Sequence, residues 1–147
     1  MCIRDSYSEL LRTCPDNFKV VDHGQERLDI TNAEAVSEAV LSAQPDCIIN
    51  AAAYTAVDKA EEDPQQAYAV NDEAVGHLVT AASTNKTRLI HVSTDFVFGP
   101  AQSEGSPLMP AAKTDPVSVY GKSKLAGELR LQQTYSEHSL IVRTAWV

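Results

Sequence analysis

The 147-residue sequence is short of basic residues, cysteines and long apolar runs, and each shortage excludes a class of protein. Twelve Lys and Arg stand against twenty Asp and Glu, so the formal net charge is −8, and without a basic stretch we expect no nucleic-acid surface. The longest largely apolar run, residues 47–54, is too short to cross a bilayer, and residues 1–6 lack the apolar core of a signal peptide. Three cysteines are an odd number and lack metal-ligand spacing. We therefore expect reduced thiols in a cytoplasmic protein, with no metal site and no membrane contact.

Short β-branched runs alternate along the chain with longer stretches of helical periodicity. The predicted strands are residues 18–22, 46–50, 88–93 and 140–143. The predicted helices are residues 33–43 after a cap at Thr31 or Asn32, 64–82 after Asp63-Pro64, and 119–135. A loop from about Gly99 to Val117 is long enough to suggest a functional role. The alternation predicts an α/β fold, a doubly wound parallel sheet of Rossmann-like type in one domain.

Ligands of such open sheets bind beyond the carboxyl ends of the strands. Four segments lie at or near predicted strand ends: Asp29-Ile30, residues 50–55, residues 93–96 and residues 144–146. The candidate functional residues are concentrated there.

Tyr120 and Lys124 are four residues apart near the start of the last predicted helix, so both side chains lie on one helix face. A lysine ammonium at ~4 Å favours the phenolate by roughly 4 kcal/mol at an effective dielectric of ~20, which is an upper limit of ~3 pKa units. A tyrosine tuned in this way could protonate a carbonyl oxygen while hydride arrives at the carbon. The bare pair is a weak signal, since it occurs by chance on many amphipathic helices.

Polar residues next to these strand ends strengthen the prediction. The Thr94 hydroxyl could donate to a carbonyl oxygen, and Asp95 could accept from a sugar or ribose hydroxyl; the alternative is an ordinary turn in which both bond their own backbone. The run Asn50-Ala51-Ala52-Ala53 would let a flat ligand approach the backbone, although tight helix–sheet packing would select the same small residues. Asn71 is a poor helix former inside a predicted helix, so it either bonds the active-site helix or an ordered water, or is exposed.

This combination resembles the extended short-chain dehydrogenases/reductases, and more narrowly the dTDP-4-dehydrorhamnose reductases, over about residues 18–147. The matching segments are residues 45–61 (PDCIINAAAYTAVDKAE), 69–71 (AVN), 91–98 (HVSTDFVF), 119–128 (VYGKSKLAGE) and 142–147 (VRTAWV). The Tyr-x-x-x-Lys pair is common to the whole superfamily, whereas the Ser-Thr-Asp strand end, the Asn-Ala-Ala-Ala segment and the Arg-Thr-x-Trp end are more specific.

The resemblance implies a catalytic role for three residues. Tyr120 would be the catalytic acid, Lys124 would assist it and hold the nicotinamide ribose, and Thr94 would polarise the carbonyl. The implied reaction transfers hydride from NADPH or NADH to the 4-keto group of dTDP-4-dehydro-L-rhamnose, giving dTDP-L-rhamnose. Proton donation by a positioned group is worth roughly 10²–10⁴-fold in rate.

The resemblance also implies binding roles. The residues implied to contact the cofactor are Asp29 and Ile30 at its adenine end, Ala52, Ala53 and Tyr54 along its middle, and Tyr120 and Lys124. The residues implied to contact the dTDP-sugar are Val57, Thr94, Asp95 and Trp146. Phe96 stands where the family usually has tyrosine, so a hydroxyl contact to substrate is lost there while a ring contact can remain.

Glycine is missing where this fold needs it. A first strand should lead into a glycine-rich turn beneath the cofactor pyrophosphate, but Gly24 is isolated and the next glycine is Gly76. We expect residues 1–6 to be foreign or mis-assembled, and the smaller C-terminal substrate domain to be absent. On this reading residues 1–147 are an incomplete NAD(P)-binding Rossmann-like domain, truncated at both ends and inactive alone.

Two other functions remain open from the sequence. One is a nucleotide-sugar epimerase or dehydratase of the same superfamily, against which the Ser93-Thr94-Asp95 strand end argues. The other is a non-catalytic module like the regulatory subunit of methionine adenosyltransferase, for which the acidic stretch of residues 58–73 would be the contact, although such stretches are more often simply solvated. A homodimer packed through the helices at residues 64–82 and 119–135 is also plausible by resemblance.

Overall fold

The computed structural model describes residues 12–24, 26–100 and 107–145. Its three strands are β1 (Cys47–Asn50), β2 (Arg88–Thr94) and β3 (Ser139–Thr144). Its helices are α1 (Ala33–Ala43), α2 (Val57–Glu62), α3 (Pro64–Tyr68), α4 (Ala74–Ser83) and α5 (Val119–Tyr135). A π-helical turn, Ala69–Glu73, joins α3 to α4, and short 3-10 turns follow β2 (Asp95–Val97) and α5 (Ser136–His138).

The strands form one parallel sheet in the order β1–β2–β3, with Ile49 beside Ile90 and Ile90 beside Leu140. The predicted α/β fold with a parallel sheet is therefore confirmed. Two predicted helix starts are also confirmed. The Asn32 side chain accepts from the backbone N–H of Ala35, and the Asp63 side chain accepts from that of Gln66, each satisfying an amide that the first helical turn leaves free.

One face of the sheet carries the main apolar core. Leu89 on β2 is fully buried against Val36 of α1, Val75 of α4 and Leu131 of α5. The opposite face is apolar too, but in the described part of the chain its side chains are open to solvent: Ile49, Leu140 and Val142 are between 38 and 57% exposed. Helices α1, α4 and α5 therefore pack on the Leu89 face.

The prediction of a strand at residues 18–22 is wrong. These residues belong to no helix or strand, and Phe18 and Val21 are more than half exposed. A β-branched run becomes a strand only where a neighbouring strand takes up its backbone hydrogen bonds, and among the described residues β1 pairs with β2 alone. The single helix predicted for residues 64–82 is also broken, since the π-helical turn interrupts it.

Some predictions fall outside the described residues. The segment expected to be foreign, residues 1–6, is one of them, and Trp146 is another. Within the described ranges, no helix has both the length and the apolar character needed to cross a membrane.

Candidate active site

Tyr120 and Lys124 lie in the first two turns of α5, at the carboxyl end of the sheet. Ser118 caps this helix by accepting from the Gly121 N–H at 3.0 Å. Tyr120 is 9% exposed and Lys124 only 2% exposed. The Lys124 ammonium donates to the Val92 carbonyl oxygen on β2 at 2.7 Å, which ties the helix to the strand. The lysine is thus held beneath the site rather than extended into solvent.

Thr94 and Asp95 stand at the end of β2, next to Tyr120. The Phe96 ring, from the 3-10 turn that follows, packs edge-on against the Tyr120 ring with 5.5 Å between centroids. The Thr94 hydroxyl donates to the Asp95 carboxylate at 3.2 Å and accepts from the Phe96 N–H at 3.2 Å. Thr94 therefore bonds the local backbone as the alternative interpretation predicted, whereas the Asp95 carboxylate accepts from the Thr94 side chain. These bonds fix the Thr94 hydroxyl at the strand end.

Burial dominates the electrostatics of Tyr120. It raises the pKa of the phenol, the Thr94 hydroxyl lowers it, and the Asp95 charge raises it further. The expectation that Lys124 draws the pKa of Tyr120 towards neutrality is wrong in this structure, because burial is the largest influence on the phenol and raises its pKa. Burial also lowers the pKa of Lys124 itself to about 8, against the opposing charge of Glu128. Tyr120 is consequently protonated at neutral pH, as a proton donor must be.

The segment after β1 is held by two asparagines. The Asn50 side chain accepts from the Ala52 N–H at 3.1 Å, which turns the chain at the strand end. Asn71, 1% exposed in the π-helical turn, accepts from the Tyr54 N–H and donates to the Tyr54 carbonyl oxygen. Its amide also donates to the Ser123 hydroxyl on α5 at 2.9 Å. Of the alternatives open for Asn71, a bond to the helix that carries Tyr120 is therefore the one present.

The structure brings some of the remaining candidates to Tyr120 and leaves others apart. Val57, the first residue of α2, and Tyr54 pack with Tyr120 in one apolar cluster. Ile30 packs instead against the main core, and the exposed Asp29 carboxylate accepts from the Thr31 N–H and hydroxyl, bonds that lower its pKa. Ala53 is half-buried. In the described ranges no three His, Cys, Asp or Glu side chains converge as a metal site would require.

Three buried polar residues of the site were missed from the sequence. The Ser123 hydroxyl donates to the Tyr120 carbonyl oxygen at 2.8 Å and so completes a chain from Asn71 to the tyrosine backbone. His91 on β2 is 1% exposed, with its Nδ1 atom 3.0 Å from the Asn50 amide nitrogen, and burial with the Lys124 charge lowers its pKa to about 3. Glu128 is fully buried. A carboxylate four residues after Lys124 on the inward helix face was the available signal.

Comparison with known proteins identifies a family and several similar structures. The model of the RmlD substrate binding domain family matches residues 8–147. The chain is 47% identical over 122 residues to the dTDP-4-dehydrorhamnose reductase of Escherichia coli strain K12, covering 81% of this chain and 39% of that protein. The crystal structure of a dTDP-4-dehydrorhamnose reductase from Clostridium acetobutylicum superimposes with a TM-score of 0.87 at 35% identity, over 97% of this chain and 49% of that one. The enzyme from Bacillus anthracis, solved in complex with NADP, gives a TM-score of 0.83 at 31% identity, over 95% of this chain and 49% of that one. The chain thus spans about half the length of the relatives it matches. The structural similarity establishes its Rossmann-like fold.

Proposed function

The chain belongs to the RmlD substrate binding domain family, and from that membership we propose that it is the catalytic part of a dTDP-4-dehydrorhamnose reductase. The observation that carries the proposal is the meeting of Tyr120, Thr94 and Asp95 at the carboxyl end of β2, with Lys124 anchored behind them on the same strand. Relatives with this name are 41 to 47% identical to the chain.

The described residues fit the nicotinamide half of a dinucleotide. Lys124 has three N–H donors and gives one to the Val92 carbonyl oxygen, so two remain for ribose hydroxyls. Ala52 and Ala53 leave little side chain between the backbone and a flat ligand. Bound NADPH or NADH would supply the hydride. We propose that Asp29 and Ile30 face the adenine end, as the resemblance implies.

The chain's own residues would handle the proton and the ketone. Tyr120 carries its proton at neutral pH and would give it to the 4-keto oxygen as the carbon receives hydride, leaving an alcohol. Thr94 has one O–H, which it would turn from Asp95 to the same oxygen, and this hydrogen bond would stabilise the developing charge. Asp95, Val57 and Trp146 would contact the sugar nucleotide, and the exposed Phe96 ring offers it an apolar surface.

A chimera tests this proposal. Residues 12–145 replace the aligned segment of the Escherichia coli reductase, and NADPH oxidation is followed with dTDP-4-dehydro-L-rhamnose. We expect turnover that falls roughly 10²–10⁴-fold in Tyr120→Phe. Tyr68→Phe is the matched control, since Tyr68 lies on α3 outside the site, and it should keep the rate. Redox-neutral conversion of the sugar would indicate an epimerase instead, and an unchanged rate in Tyr120→Phe would contradict the assigned acid.

The ligand class and the oligomeric state are further parts of the proposal. We propose a dTDP-sugar as the small-molecule ligand and a homodimer through residues 64–82, which run from α3 into α4, and through α5, where Leu129 is 44% exposed. Light scattering of the chimera at several concentrations tests the dimer, and a constant monomer mass would contradict it. The cytoplasmic location stays a prediction.

A further inference from the structure

Glu128 is a charged side chain with no access to solvent. It lies on α5 one turn after Lys124, and its carboxylate is fully buried. Arg143, on β3, donates to both of its oxygens, with Nη2 at 2.6 Å and Nε at 3.0 and 3.2 Å. A buried carboxylate without such a partner would be strongly destabilising, so this pair ties α5 to β3.

Arg143 is itself fixed from two further directions. Its Nη1 atom donates to the Pro110 carbonyl oxygen at 2.8 Å, and its guanidinium lies 5.0 Å from the centre of the Phe98 ring. Its side chain is 19% exposed. The arginine therefore holds one orientation, in which its fork faces Glu128 and its remaining edge faces the segment before α5.

Lys124 and Glu128 are spaced as helix ion pairs usually are, four residues apart on one face. In the described residues, however, the Lys124 ammonium bonds the Val92 carbonyl oxygen, and the ion pair of Glu128 is with Arg143. The Lys124 and Glu128 side chains are almost completely buried. Without screening by water, the attraction between their charges would be strong. A further charged group must therefore offset this attraction if the Lys124 ammonium is to stay on the Val92 carbonyl oxygen.

We propose that Arg143 is a positioning residue for Lys124: by occupying both oxygens of Glu128, it keeps the carboxylate from capturing the ammonium and leaves the lysine on the Val92 carbonyl beside Tyr120. The contacts of Arg143, Glu128 and Lys124 do not depend on the proposed function. Only the catalytic role of Lys124 rests on it. Glu128 is the charged group that acts on Lys124. His91 from β2 feels the Lys124 charge but is kept neutral by burial, so Arg143 is the cation that balances Glu128.

A double-mutant cycle on the full chain tests the proposal without any turnover. The proteins are the wild type, Arg143→Gln, Glu128→Gln and the double variant, and the measurement is the titration midpoint of the Lys124 Cε signal by ¹³C NMR, assigned with Lys124→Arg. With Glu128 present, removing Arg143 should raise the midpoint by about one pH unit, because the freed carboxylate turns to the lysine. With glutamine at position 128, the same change should raise it by a smaller amount.

Arg130→Gln is the matched control, since it breaks another arginine–carboxylate pair of α5, that with Asp72, and should leave the midpoint unchanged. Equal rises on both sides of the cycle, or no rise on either, would overturn the proposal. If Arg143→Gln alone fails to fold, Arg143→Lys takes its place, since lysine keeps the charge but cannot engage both carboxylate oxygens. A rise of the midpoint that is larger with Glu128 present than in the Glu128→Gln background supports the proposal, and no rise with Glu128 present refutes it.

Discussion

Gly127 lies where α5 crosses the π-helical turn, and adding a single methyl group there tests how the site is held together. In Gly127→Ala the new Cβ would overlap the Asn71 carbonyl oxygen and lie 3.3 Å from both the Asn71 carbonyl carbon and Val75 Cγ2. The obstructing oxygen belongs to the backbone and cannot rotate aside. Relief requires α5 and the π-helical turn to separate.

The expected loss follows from opposing contributions. Alanine gains ~1 kcal/mol over glycine inside a helix. Overpacking costs ~1–3 kcal/mol, and displacing Asn71 would weaken its three side-chain hydrogen bonds to Tyr54 and Ser123, each worth ~1 kcal/mol. We therefore expect the free energy of unfolding to fall by ~2–4 kcal/mol, which lowers Tm by roughly 5–15 °C for a chain of this size.

Urea denaturation followed by circular dichroism measures this loss, with Gly76→Ala as the matched control. Gly76 is also inside a helix, α4, but the nearest atom to its added Cβ would be Cδ of the Arg130 side chain at 3.1 Å, which can move. That variant should stay within ~1 kcal/mol of the wild type. If Gly127→Ala proves as stable as Gly76→Ala, then the close crossing of α5 does not fix the site and the reasoning is refuted.

Three further predictions concern the buried polar residues. Asn71→Leu should lose ~2–4 kcal/mol in the same urea assay, because backbone groups of Tyr54 lose their partners; a loss below ~1 kcal/mol would contradict this. The pKa of His91 is about 3 against an ordinary 6.5, so the unfolded chain binds a proton that the folded one does not, and stability should fall by up to ~1.4 kcal/mol per pH unit from pH 6.5 towards 3. His91→Gln should reduce that slope between pH 6.5 and 5, and an equal slope would refute the assignment. Lys124, with a pKa of about 8 against 10.5, should make the chain more stable at pH 10 than at pH 8, and Lys124→Met should lack this gain when both are melted at the two pH values.

Local patterns in the sequence predicted the elements that depend on local chemistry. Helix α5 begins and ends at the predicted residues 119 and 135, and Asn32 and Asp63 cap helices as expected. Residues 18–22 have strand-like composition as well, but a strand also needs a neighbour, which no local pattern supplies. The π-helical turn was missed because its extra residue leaves the apolar periodicity of α3 and α4 nearly intact.

For the candidate site, too, the residue types were predictable and the long-range contacts were not. Residue types and the family resemblance pointed to Tyr120, Lys124 and Thr94, whose proximity follows from lying at neighbouring strand and helix ends. The direction of the Tyr120 pKa shift was not predictable, because it depends on burial, on a hydrogen bond with Thr94 and on the charge of Asp95. The pairing of Glu128 with Arg143 joins residues fifteen positions apart on different elements, and no spacing rule links them.

The π-helical turn at Ala69–Glu73 also keeps α3 and α4 in phase across one extra residue. A π-helical turn closes i→i+5 hydrogen bonds and so takes up one residue more than an α-helical turn. Deletion of one residue here would restore α-helical pitch and remove the widened turn that carries Asn71. Asn71 would then no longer be held facing Tyr54 and Ser123, and its hydrogen bonds to both would be lost. This stretch should therefore accept changes of exposed side chains far more readily than the loss of a single residue.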